Sequence, residues 1–291
     1  MKRLSRSRHH QVLIFLLAWP LVVVLAPLPG HAQARNLPRA GFQTFSRPGG
    51  EDLPTSSGLH LTPGMDRPKN AGPQVYNPGE PAVNMGLVRW EAKKMPLMIW
   101  ISPGLKLPDC PFAEIQATRV DMVFNMLQQD SPFLGMETAP GWTPEVNEVV
   151  AAGIEEWREF ESEGLISFGF TEDPRRAHIL VFFTDAFREA SSPGGINVGG
   201  ITSAQIYPVA QAHQINIAQK PVVVELATMV NSTDGKMRGA SAHEFGHALG
   251  IKAHSPYRDD LMYVDRVVEE LSPSDKATFR YLYHHPPQFV L

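Results

Sequence analysis

Four side chains in one short stretch have the types and spacing that metal chemistry needs. They are His243, Glu244, His247 and His254, in the segment His-Glu-Phe-Gly-His-Ala-Leu-Gly-Ile-Lys-Ala-His. Residues four apart on a helix share a face, so His243 and His247 can aim their imidazoles at one ion. Zinc accepts neutral imidazole nitrogens at about 2.0–2.1 Å and, in catalytic sites, keeps a fourth position for water. Glu244 falls beside such an ion rather than on it. There a carboxylate can take a proton from an attacking water and later hand it to a leaving amine. Gly250 permits a positive φ and a sharp exit from the helix, after which the chain can turn back and deliver His254 as a third ligand. Asp259 and Asp260 are the substitute ligands, since carboxylate oxygen also binds zinc. A bare H-E-x-x-H has a real false-positive rate, because two surface histidines and a salt-bridging glutamate also satisfy it. The following glycine and third histidine sharpen the signal.

A helix through residues 243–249 needs a core to lie on. Pro96 to Ile101 reads as a buried strand stopped by Ser102-Pro103-Gly104, and Phe112 to Gln129 carries apolar residues at helical spacing. Thr143 suits an N-cap and Pro144 a first helical turn. Val146, Val149, Val150, Ile154 and Trp157 then form one stripe, and Gly164 ends the helix. Leu165 to Phe170 and His178 to Phe183 read as strands. Ile201 to Tyr207 and Gln214 to Ile217 alternate partly, as edge strands do. Pro221 to Val224 is ambiguous. The layout predicts an α+β fold with helices packed on one sheet, spanning residues 88–291.

The segment from His243 resembles the metzincin motif H-E-x-x-H-x-x-G-x-x-H, and Gly246, Ala248, Leu249 and Gly250 are most similar to the matrixin branch. The resemblance covers residues 88–291 and is strongest from Ala240 to Tyr263. It implies a metzincin-like fold: a mixed twisted sheet, long helices, and a zinc-binding active-site helix followed by a Met-turn. Leu261-Met262-Tyr263 resembles that turn, with Met262 beneath the ligand imidazoles, and Val264 to Arg266 would form part of the pocket wall. His178 to Phe183 resembles the central strand before the active-site helix, Trp157 lies in a helix like the family's first long one, and Ser272-Pro273-Ser274-Asp275 opens a helix like its last. The implied activity is that of a zinc-dependent endopeptidase acting on peptide or protein substrates, with Glu244 as general base. There are departures. Ala253 stands where the family places its third histidine, one residue before His254. Phe112 to Gln129 looks like an insertion. No latency peptide with a matching cysteine precedes the domain.

Two other classes compete. One is a surface or binding protein that keeps zinc only for stability, and the presence of Glu244 argues against it. The other is a zinc amide hydrolase acting on cell-wall peptides, for which the chain offers no separate wall-binding repeat. An extended substrate would lie along Ile201 to Tyr207 by strand addition; individual substrate-binding residues are not identified.

Composition narrows the field further. The 291 residues are 43% hydrophobic and 19% charged, enough for one sizeable core. The net charge of −4 includes a basic leader with Lys2, Arg3, Arg6 and Arg8, so the remainder is more acidic still, and nothing marks a nucleic-acid partner. Residues 1–34 read as a signal peptide: a positive start, an apolar run from Val12 to Leu25 broken by Pro20, and small residues allowing cleavage after Ala32 or Ala34. Pro20, Pro27 and Pro29 keep the run below the roughly 20 residues of a spanning helix, so export without stable membrane insertion is expected. Residues 35–87, rich in Pro and Gly, read as a low-order linker or pro-segment. Cys110 is the only cysteine, which excludes an intramolecular disulfide; it reads as a small buried hydrophobe rather than a latent zinc ligand. His213, His284 and His285 read as ordinary surface or core histidines. The glycines of Ser191 to Gly195 and Gly199-Gly200 could line a groove or a Ca2+ site, but no EF-hand acid spacing supports calcium.

Overall fold

Ile179–Thr184 are six consecutive buried residues, and so are Val222–Ala227. A strand covered on both faces reads as an unbroken apolar run rather than an alternation, and these two lie side by side inside one sheet. The computed structural model describes residues 65–67, 72–189, 192–196, 198–212, 220–266 and 268–291. The expected signal segment, the expected strand at Gln214 to Ile217 and His213 lie outside those residues.

In chain order the elements are β1 (Val88–Arg89), β2 (Leu97–Lys106), α1 (Ile115–Leu127), α2 (Pro144–Glu155), β3 (Phe168–Phe170), β4 (Ile179–Thr184), β5 (Phe187–Glu189), β6 (Ser192–Ile196), β7 (Gly200–Ser203), β8 (Tyr207–Pro208), α3 (Val209–Ala212), β9 (Val222–Ala227), α4 (Asp234–Leu249), α5 (Pro273–His284) and β10 (Phe289–Val290). The main sheet has the order β3-β2-β4-β9-β7. Its first three pairings are parallel and β7 runs antiparallel to β9. A small sheet, β1-β10-β8, and a hairpin, β5-β6, accompany it. The fold is therefore α+β with a mixed sheet.

Side chains alternate across that sheet. Ile179, Val181, Phe183, Val224 and Leu226 meet a core that includes Val150 and Ile154 of α2 and Phe245 of α4. Leu180, Phe182 and Val223 point the other way, onto Val123 and Leu127 of α1. Helices thus cover both faces of the one sheet. The helix expected at Phe112 to Gln129, found as α1, is what occupies the second face. Glu225 is the lone charge in β9, and it points to α1, where the buried Arg119 Nε donates to it at 2.8 Å.

Three expected boundaries shift. Strand β2 runs through Ser102-Pro103-Gly104 instead of stopping there, because an irregularity between Ile101 and Lys106 absorbs the proline and lets pairing with β4 resume. Ile201 to Tyr207 is two strands: β7 edges the main sheet, and Tyr207 begins β8 in the small one. The packed domain begins before Val88. Tyr76 is buried and its hydroxyl donates to Asp275 at 2.8 Å, while Met65 bridges to Tyr257. Pro/Gly composition cannot foresee partners that lie 200 residues away. Among the described residues no helix is long and apolar enough to cross a membrane.

Candidate metal centre

Helix α4 begins at Thr233, whose side-chain oxygen accepts from Lys236 N, and ends at Gly250 with φ of 118°. That left-handed residue is required: an added Cβ would also sit 2.2 Å from the Val88 carbonyl oxygen. Aromatic donors serve the helix carbonyls from outside. Trp157 Nε1 donates to Ala242 O at 2.9 Å, Trp90 Nε1 to Ala248 O at 2.8 Å, and the Tyr283 hydroxyl to Leu249 O at 2.9 Å. The last two carbonyls belong to the final turn, where helical partners run out.

His243, His247 and His254 converge, with one nitrogen of each within 4.8 Å of the others. Among the described residues they are the one group of three or more histidine, cysteine or acidic side chains with metal-holding geometry. His247 Nε2 lies 3.1 Å from His243 Nε2 and 3.3 Å from His254 Nε2. On the far side of two rings, His243 Nδ1 donates to Leu261 O at 2.7 Å and His247 Nδ1 donates to Ile251 O at 2.5 Å. A carbonyl can only accept, so these bonds put each ring hydrogen on Nδ1 and leave the Nε2 lone pairs facing one another. Burial keeps both imidazoles neutral, lowering His243 to about 3 and His247 well below its ordinary value, with neighbouring histidines adding to the effect. These two lone pairs, with a nitrogen of His254 beside them, form a donor set that fits a metal ion.

The late third histidine is accommodated after Gly250. Ile251 N bonds back to Gly246 O at 3.0 Å, Lys252 N reaches Pro78 O at 2.8 Å, and the loop then brings His254 to the other two. Asp259 and Asp260, the substitute ligands, are engaged elsewhere. Asp259 pairs with Arg67 at 2.9 Å, and the fully buried Asp260 also receives Arg67 and accepts from the hydroxyls of Ser255 and Ser272 at 2.5 Å.

Glu244 is buried beside the triad, one residue past its first histidine. The Thr202 hydroxyl on β7 donates to its Oε2 at 2.7 Å. Burial pushes the carboxyl up to about 7, against the lowering by that hydrogen bond and by the Arg266 charge. Gly200 gives it room: a Cβ there would stand 2.5 Å from Glu244 Cγ. Met262 is fully buried, with its sulfur against Gly246, where a Cβ would come within 2.6 Å of Sδ. The turn that carries Met262 is bonded on both sides, by Leu261 N to Asp275 Oδ2 at 2.8 Å and by Ser255 N to Met262 O at 2.8 Å.

Of the five site residues marked in the sequence, His243, His247 and His254 converge, Glu244 follows the first of them on the same helix, and Met262 packs against Gly246 of that helix. The Thr202 bond to Glu244, the clearance Gly200 leaves for it, the Arg266 charge acting on it and the Arg67–Asp260 pair were not foreseen, since these links are purely tertiary. Cys110 is partly exposed, with its sulfur 3.6 Å from Thr118 Oγ1, and is not part of the triad. No protein-family model and no curated protein matches the chain.

Proposed function

We propose that this chain is an exported zinc-dependent endopeptidase of the metzincin type, most similar to the matrixins. Export rests on the character of residues 1–34. A tetrahedral ion holding nitrogens at about 2.0–2.1 Å keeps them about 3.3–3.4 Å apart, and the Nε2 separations of 3.1 and 3.3 Å match that spacing. Three neutral imidazoles are also the donor set that zinc favours at catalytic centres. The left-handed Gly250 and the buried Met262 turn are features the metzincin reading requires.

The observation that carries the proposal is Glu244, a buried carboxyl one residue past the first histidine of the triad and held by the Thr202 hydroxyl. A zinc centre kept only for stability has no use for such a group. Bound zinc would polarise the scissile carbonyl and make the attacking water more acidic. Glu244 takes the proton of that water on one carboxylate oxygen and delivers it to the departing amine nitrogen, so that the C–N bond breaks without expelling an amide anion. Thr202 orients the carboxylate for both transfers. Strand β7 is the sheet edge beside Glu244, and its outer side suits an extended peptide added as a further strand.

The test is hydrolysis of a broad peptide mixture, read by mass spectrometry, before chelation, after it, and after zinc is returned. Cleavage that disappears and returns supports the proposal. Silence of the zinc-loaded chain across the whole mixture contradicts it.

A further inference from the structure

We propose a second binding site, for a small organic anion bearing two or more carboxylate or phosphate groups, in the cavity at the N-terminal ends of β2, β4 and β9. The cavity encloses about 540 Å³, within the range of small-molecule sites, roughly 300–1,000 Å³. Its rim carries Lys94, Arg175, Arg176, Lys220 and His178, and no aspartate or glutamate lines it. The cations come from separate parts of the chain: before β2, before β4 and before β9. In a protein of net charge −4, this gathering of one sign is not an average of the surface. A cleft walled by one charge focuses its field on whatever enters, at the cost of self-repulsion that an anion relieves.

The donors are arranged to different degrees. Arg175 Nη2 donates to Gln129 O at 2.6 Å and Asp130 O at 2.8 Å, which fixes its guanidinium at the end of α1. His178 Nδ1 accepts from Met98 N at 2.9 Å, so the neutral ring carries its hydrogen on Nε2 and offers a donor there. Lys220 pairs with the largely exposed Asp121 and lies 5.9 Å from the Phe124 ring. The side chains of Lys94 and Arg176 have no hydrogen bond or ion pair among the described residues. They are the charges left over for a ligand. Trp90, Phe124 and Leu127 supply apolar wall, which favours an anion on an apolar frame over a bare inorganic ion.

This site is separate from the metal centre. Pro221 precedes β9, whereas Thr202 and Gly200 pair with Val224 and Leu226. At about 3.3 Å per residue the two lie roughly 10–16 Å apart along the strand.

The experiment is calorimetric titration of the zinc-loaded protein with benzene-1,3,5-tricarboxylate at about 20 mM salt, where screening is weak. The double variant Lys94→Glu/Arg176→Glu alters two side chains that make no hydrogen bond or ion pair among the described residues. Lys276→Glu/Arg280→Glu, whose pairing partners Glu159 and Glu163 do not line the cavity, changes the net charge by the same four units and controls for overall charge. The site predicts one tricarboxylate per chain, binding at least about tenfold weaker in the double variant and near wild type in the control. No binding to the wild type, equal binding to the double variant, or equal weakening in the control would each overturn it. Peptide hydrolysis plays no part in the readout.

Discussion

The hydroxyl of Thr202, on the edge strand, donates to Oε2 of Glu244, on the helix, at 2.7 Å. This bond fixes the rotamer of the proposed base relative to both the triad and the strand that would receive substrate. Thr202→Val keeps the volume and removes the donor. It should lower kcat about tenfold with little change in KM or zinc content, and Thr202→Ser should restore most of the loss. Steady-state kinetics with metal analysis checks this; a fully active valine variant would assign Thr202 to packing alone.

Gly200→Ala tests the same wall sterically. Its Cβ would stand 2.5 Å from Glu244 Cγ and 2.8 Å from Oε1, so the carboxyl must move. The expected outcome is a loss of kcat of about tenfold or more and a destabilisation of about 1–3 kcal/mol, with zinc retained. Thermal unfolding and kinetics on the same preparation separate the two effects.

Metal removal should lower the unfolding temperature, because an ion bound by the folded state alone stabilises it by mass action, about 4 kcal/mol at a thousandfold excess over Kd. His254→Ala should weaken zinc binding while leaving α4 intact, since this ligand stands on the loop. A melting temperature indifferent to chelator would count against a resident ion.

Arg67 gives the buried Asp260 its countercharge from a segment well upstream of the helix. Arg67→Ala should cost about 3–5 kcal/mol by leaving a carboxylate buried without its cation. Arg67→Ala/Asp260→Asn should recover part of that loss. Denaturant titration of the single and double variants measures the coupling.

The pH dependence of stability has a local source at Asp185. Burial pushes this carboxyl up, but the Lys106 ammonium at 3.2 Å and the Arg188 guanidinium outweigh it and hold it down to about 2. A depressed carboxyl stabilises the fold above its unfolded value near 4 and loses that contribution as pH falls toward 2. Asp185→Asn should flatten the stability profile between about pH 4 and pH 2 and cost about 1–2 kcal/mol at neutral pH. Unfolding measured across that range decides it.

Most of the candidate centre was legible because it is local. His243, Glu244 and His247 lie within two turns of one helix, and Gly250 forces the turn that returns His254. The central strands were legible for a similar reason: Ile179–Thr184 is an unbroken apolar run. What escaped depends on pairing across long sequence separations. Nothing near Thr202 announces Glu244 forty-two residues away, and nothing near Arg67 announces Asp260. Periodicity is silent about helix placement, since an amphipathic stripe in Phe112 to Gln129 does not say which sheet face it covers. The second face became visible only through Leu180, Phe182 and Val223.

The central claim is that Glu244 acts on substrate at the histidine-held zinc. It is tested most directly by comparing the wild-type chain with Glu244→Ala on one peptide mixture, each preparation confirmed to carry one zinc. The account predicts cleavage by the wild type and a loss of at least about a thousandfold in the variant, with the metal still bound. Equal hydrolysis by the two, or equal silence from both with zinc in place, would contradict it.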